Sequence, residues 1–114
     1  MNAEQLFIVG IGACTSGKYD IAIKYFQRAI EINPDYADAY NNMGLAYHNM
    51  FNFTKAIECY QKVIDINPDY TDAYLNLGVA YGYLKNYDME IECYQKAINI
   101  NPSDVQAHLN MGIV

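Results

Sequence analysis

Asp38-Ala39-Tyr40-Asn41-Asn42-Met43-Gly44-Leu45-Ala46-Tyr47 returns 34 residues later as Asp72-Ala73-Tyr74-Leu75-Asn76-Leu77-Gly78-Val79-Ala80-Tyr81. Working outward, Pro34, Pro68 and Pro102 keep the same interval, and the second and third units share roughly half their positions. A period of this length marks a stack of supersecondary units and not one closed core. Aligned in register, the units give columns: Gly10, Gly44, Gly78 and Gly112; Ala22, Ala56 and Glu90; Phe26, Tyr60 and Tyr94. Glu90 breaks its column, setting a carboxylate where alanine predicts close packing.

Each unit reads as two amphipathic helices. Ala39, Tyr40, Met43, Ala46 and Tyr47 recur at three- and four-residue steps, as do Ala56, Ile57, Tyr60, Val63 and Ile64, so each set forms one helical stripe. Asp20, Thr54 and Asp88 are expected to cap the second helices. Asn33, Asn67 and Asn101 stand before proline, where the helical conformation is disfavoured, and are expected to end them. The expected units are 3–36, 37–70 and 71–104, with 105–114 opening an incomplete fourth.

Tyr40-x-x-Met43-Gly44-x-x-Tyr47 and Tyr74-x-x-Leu77-Gly78-x-x-Tyr81, each followed by Ala- or Glu-x-x-x-Tyr and then proline, resemble the tetratricopeptide-repeat family over nearly the whole chain. The first unit is a weaker match, since Leu6-x-x-Val9-Gly10-x-x-Ala13 lacks both aromatics. The resemblance implies an all-α, right-handed solenoid of antiparallel helix pairs whose first helices line a concave groove. It assigns that groove to Asp38, Asn41, Asn42, Leu45, His48 and Asn49, then to Asp72, Leu75, Asn76, Val79 and Tyr83. Gln106, Leu109, Asn110 and Ile113 would continue it. The column Asn42, Asn76 and Asn110 looks like the asparagine ladder of superhelical relatives such as the O-linked N-acetylglucosamine transferase arrays. An amide both donates and accepts, so it can grip a peptide unit whatever its side chain. The family's carboxylate clamp for acidic tails is a poor match: only Asn42 fits, and Asp38 and Asp72 would repel a carboxylate.

Composition narrows the function. The 114 residues carry seven Lys or Arg against 13 Asp or Glu, a formal net charge of -6. Nucleic acid is not an expected partner, since phosphate contacts need clustered cations and these are few and scattered. The expected ligand is a protein or peptide, neutral or basic. Leu6 to Lys18 imitates a strand running into a phosphate-binding loop, but Tyr19 replaces the metal-holding hydroxyl and Gly10 belongs to the repeat column. Ile11-Gly12-Ala13-Cys14 imitates a lipidation site, but Glu4 precedes the apolar run where a positive charge is needed. Nothing suggests membrane insertion. Cys14, Cys59 and Cys93 read as reduced small hydrophobes in an intracellular protein. His48 and His108 fall in different columns and suggest no metal site. No nucleophile, base and orienting group come together, and no enzyme activity or cofactor is expected.

The leading expectation is an interaction scaffold that binds an extended peptide or partner helix. Two alternatives stand beside it: a targeting or regulatory segment of a larger enzyme, and a self-assembly module pairing through its ends. Phe7, Ile8 and Ile11 at one end and Leu109, Met111 and Ile113 at the other would carry that pairing.

Overall fold

The computed structural model describes residues 1–103 and Asn110, and six helices follow one another through them. They are α1 (Ala3–Thr15), α2 (Tyr19–Ile32), α3 (Ala37–Asn49), α4 (Phe53–Ile66), α5 (Thr71–Tyr83) and α6 (Tyr87–Ile100). Each odd helix packs against the even helix that follows it, and α2 and α4 pack against α3 and α5. The result is an all-α solenoid measuring 44 × 25 × 20 Å. Helix α3 also touches both α1 and α5, whereas no two even helices make contact as extensive among the described residues. The odd helices are therefore the inner, crowded side of the curve. Of the expected fourth unit only Asn110 is described, helical and half-buried, and the expectations for Gln106, Leu109, Met111 and Ile113 lie outside the described residues.

The glycine column explains how paired helices come so close. A methyl group added at Gly44 would sit 2.5 Å from Cε1 of Tyr60, and Gly10 and Gly78 stand in the same relation to Phe26 and Tyr94. Each ring lies flat against bare helix backbone, and all three are buried. Ala22, Ala56, Ala39 and Ala73 are fully buried beside them. The core thus runs as a chain of clusters along the stack, one centred on Phe26 and Met43, the next on Tyr60 and Leu77, the last on Leu75 and Tyr94.

Helix ends follow the expectation at one side and depart from it at the other. Asn33, Asn67 and Asn101 do cap the C-termini of α2, α4 and α6, in extended or near-extended backbone. The N-caps are not Asp20, Thr54 and Asp88. Asn52 accepts from the amide of Lys55 and Asn86 from that of Met89, both at 3.3 Å, while Lys18 caps α2 without a side-chain bond. The helices start earlier than the apolar stripe suggests, because Tyr19, Phe53 and Tyr87 already belong to them. Asp20 and Asp88 lie in the first turn, where a carboxylate suits the positive end of the helix dipole. The stretch that imitates a phosphate loop is helical through Thr15 and turns at Gly17, whose φ of 74° needs no side chain.

Candidate functional site

The inner face is built from the exposed sides of α1, α3 and α5. These three helices contain no lysine or arginine; their only charged side chains are Glu4, Asp38 and Asp72, all exposed at the helix starts. The seven basic residues lie on α2, α4 and α6 or in the turns after α1 and α5. One edge of the face is therefore acidic. Tyr70, at the end of the second repeat, reaches back and donates its phenol to Asp38 of the preceding helix start. Burial and that bonded carboxylate hold the Tyr70 phenol well above the usual tyrosine range, so it stays a proton donor. Tyr36, one repeat earlier, is raised by burial and by Glu4 and Asp38.

The middle of the face carries the amides, and they are not a row of free hands. Asn42 donates at 2.8 Å to the carbonyl of Asp38, one turn back in its own helix. Asn76 donates at 3.1 Å to the side-chain oxygen of Asn41 across the repeat boundary. Asn41 itself is buried, only 6% exposed, and Leu75, its equivalent one repeat on, is 8% exposed. Asn41 is taken up at the boundary with the third repeat through its bond from Asn76, whereas Leu75 packs against Tyr94 and Ala97 of α6. Asn42, Leu45, Asn76 and Val79 are half-buried, and Asn49 is exposed.

The opposite edge is aromatic. Phe53 stacks on Tyr83 with ring centroids 4.8 Å apart, and His48 meets both rings edge-on at 5.0 and 5.2 Å. Phe51 adds a fourth ring, 6.2 Å from Phe53. His48 is pulled below the ordinary imidazole range by burial. His48 and Tyr83 were legible from the repeat register, but Phe51 and Phe53 were not, because they lie in the turn and first residue of an even helix. The available signal was Phe51 itself, an aromatic at the turn position that the first repeat fills with Gly17.

The residues expected at self-associating ends divide. Phe7 stacks on Tyr36 at 5.1 Å and packs 5.8 Å from Phe26, and Ile11 packs on the same cluster, so both serve the chain's own core. Ile8 alone of the described three is well exposed, at 66%. A cleft lined by Tyr40, Met43, Tyr47, Lys55, Cys59 and Lys62 opens between α3 and α4, and a similar one lies one repeat on around Tyr74, Tyr81 and Cys93. Burial pushes the Cys59 thiol up to about 12 and Cys93 up to about 11, which leaves both protonated and unreactive. Among the described residues no group of His, Cys, Asp and Glu could hold a metal, and no helix is long and apolar enough to cross a membrane.

Comparison with known proteins agrees with this architecture. The chain is 35% identical over 54 residues to an uncharacterised protein of Methanocaldococcus jannaschii, an overlap that covers 47% of this chain and 63% of that relative. Among solved structures, MamA superposes with a TM-score of 0.91 at 31% identity, covering 97% of this chain and 65% of MamA. YrrB, a tetratricopeptide protein with an unusual peptide-binding site, gives 0.91 at 26% identity over 99% of this chain and 58% of its own. The first tetratricopeptide domain of Spaghetti (RPAP3), bound to the HSP90 peptide SRMEEVD, gives 0.93 over 97% of this chain and 88% of its own; at 23% identity this likeness concerns the fold. The chain thus spans less than two thirds of several of these proteins. The tetratricopeptide-repeat family model matches residues 37–70 and 71–104, and a second model for the same repeat matches 14–50. With more than half its length accounted for in this way, the chain belongs to the tetratricopeptide-repeat family.

Proposed function

We propose that the chain is a protein-interaction scaffold that holds a neutral or basic peptide segment of a partner against its inner face. The observation that carries this reading is the charge of that face: three helices with carboxylates at their starts and no Lys or Arg. Opposite charges across an interface steer encounter and penalise wrong partners. Half-buried amides at Asn42 and Asn76 support a peptide ligand, since each keeps further donor or acceptor capacity beyond its one bond. The peptide-bound Spaghetti domain and the peptide-binding site of YrrB show that the same fold serves this purpose elsewhere. An acidic ligand such as SRMEEVD would meet Asp38 and Asp72 here with repulsion.

Selection of a displayed random-peptide library on the immobilised chain tests the reading. The recovered peptides should be enriched in Lys and Arg, and should lose binding to Asp72→Lys and Asn42→Lys variants that melt like the parent. Recovery of binders indifferent to both substitutions would place the interaction surface elsewhere.

A further inference from the structure

The inner face ends at one edge in carboxylates and at the other in a cluster of four rings, and a ligand that crosses it meets both. Resting on the peptide-binding reading, we infer that the partner segment is bipartite: a Lys or Arg docks against Asp38 and Asp72, and an aromatic or large aliphatic side chain docks on Phe51, Phe53 and Tyr83.

Three observations carry this. The ring cluster is exposed where it has no structural need to be: Phe51 is 78% exposed and Tyr83 60%. Exposed aromatics held in a preformed stack are the anchors that interfaces favour, because rigid rings bury much area for little lost entropy. Phe51 also occupies left-handed backbone, with φ of 62°, a conformation that crowds the Cβ of a non-glycine residue. The first repeat relieves the same turn with Gly17, so a strained and solvent-facing phenylalanine is a poor choice for folding alone.

The charge pattern then chooses the occupant. A purely apolar segment would bring no cation to the acidic edge, where Asp38 accepts only from the neutral Tyr70 phenol, and an acidic one would oppose both carboxylates. Along α3 the step from Asp38 to His48, and along α5 from Asp72 to Tyr83, is about 15 Å at 1.5 Å per helical residue. Extended chain covers that distance in about four to five residues at 3.3 Å each. The cation and the apolar anchor should therefore stand about that far apart in the partner, with the intervening backbone passing over Asn42 and Asn76.

Fluorescein-labelled decapeptides read by anisotropy test this. One carries an Arg pair and, five positions on, a Phe pair in a Gly/Ser/Asn background; the second places the same residues adjacent; the third replaces Arg by Glu; the fourth replaces Phe by Ser. The spaced peptide should bind about tenfold tighter than each of the others, the scale set by losing one anchor. Phe51→Gly and Tyr83→Ser should weaken it at least about threefold, and Phe51→Gly should do so with a melting temperature at or above the parent's. Equal affinity for spaced and adjacent anchors, or an unchanged affinity in Phe51→Gly, overturns the bipartite assignment. So does absence of binding by every peptide of the panel. In each of these cases the library selection described above decides separately whether the inner face binds peptides at all.

Discussion

Tyr60 ends in a buried hydroxyl that no other group satisfies, although the repeats on either side have answers for that position. Phe26 has no hydroxyl to satisfy, and Tyr94 donates its own to Glu90 at 3.3 Å. Burial drives the Tyr60 phenol far above the usual range, so it remains an unspent donor in an apolar seam. Tyr60→Phe should therefore raise stability by about 0.5–1.5 kcal/mol, as removal of an orphaned buried donor does. Urea denaturation that shows a loss instead would mean the hydroxyl has a partner. Gly44→Ala should act oppositely, since the new methyl meets the Tyr60 ring face; overpacking of this kind costs about 1–3 kcal/mol. At His48 the sign follows from burial of the imidazole. Its folded pKa lies below the unfolded value, so its contribution is present above about pH 6.5 and is lost as pH falls through the folded pKa. Thermal melts from pH 7.5 down to 5 should show a steeper decline for the parent than for His48→Gln.

At the scale of the helix pair, the position that broke its column has a complement elsewhere. Glu90 stands where Ala22 and Ala56 stand, and Gly82 stands where Cys14 and His48 stand. A methyl at Gly82 would fall on the Glu90 carboxylate, so the third repeat has traded a large residue on the first helix for a large one on the second. The carboxylate then accepts from Tyr94. Removing Glu90 alone vacates this niche and strips Tyr94 of its acceptor. Glu90→Ala should thus lower stability, by about 1 kcal/mol for the loss of this long hydrogen bond. The double change Gly82→His with Glu90→Ala, which rebuilds the arrangement of the second repeat, should recover part of that loss in a double-mutant cycle. Both halves of the trade were visible in the sequence, but only as two odd residues eight apart; that they touch follows from the antiparallel pairing of α5 and α6. The same holds for the turn before each even helix. Gly17, Phe51 and Lys85 all take positive φ, and the register could align them without revealing the shared conformation. Lys85→Gly should stabilise by about 0.5–1 kcal/mol, the relief of left-handed strain less the entropy glycine loses on folding.

Across the array, the 34-residue period accords with the three helix pairs of the described residues, because a solenoid repeats one local solution and each unit contacts only its neighbours. The inner face was less legible. Residue columns show which side chains share a direction but not which of them are consumed in packing, as Asn41 is across the repeat boundary and Leu75 against α6. The polar ties across the seam joining the second and third repeats include Tyr70 to Asp38 and Asn76 to Asn41. Coupling between units decides whether an array unfolds as one body or from its ends. Asn76→Ala leaves the buried oxygen of Asn41 without its donor and should cost about 1 kcal/mol, while Asn42→Ala, which loses only a bond to its own helix, should be close to neutral. Combining Asn76→Ala with Tyr70→Phe should loosen the third repeat from the second. Native-state hydrogen exchange should then show protection falling in α5 and α6 while α1 and α2 keep theirs. A uniform loss across all six helices would mean that the apolar seam alone sets the cooperativity and that these polar ties contribute only to total stability.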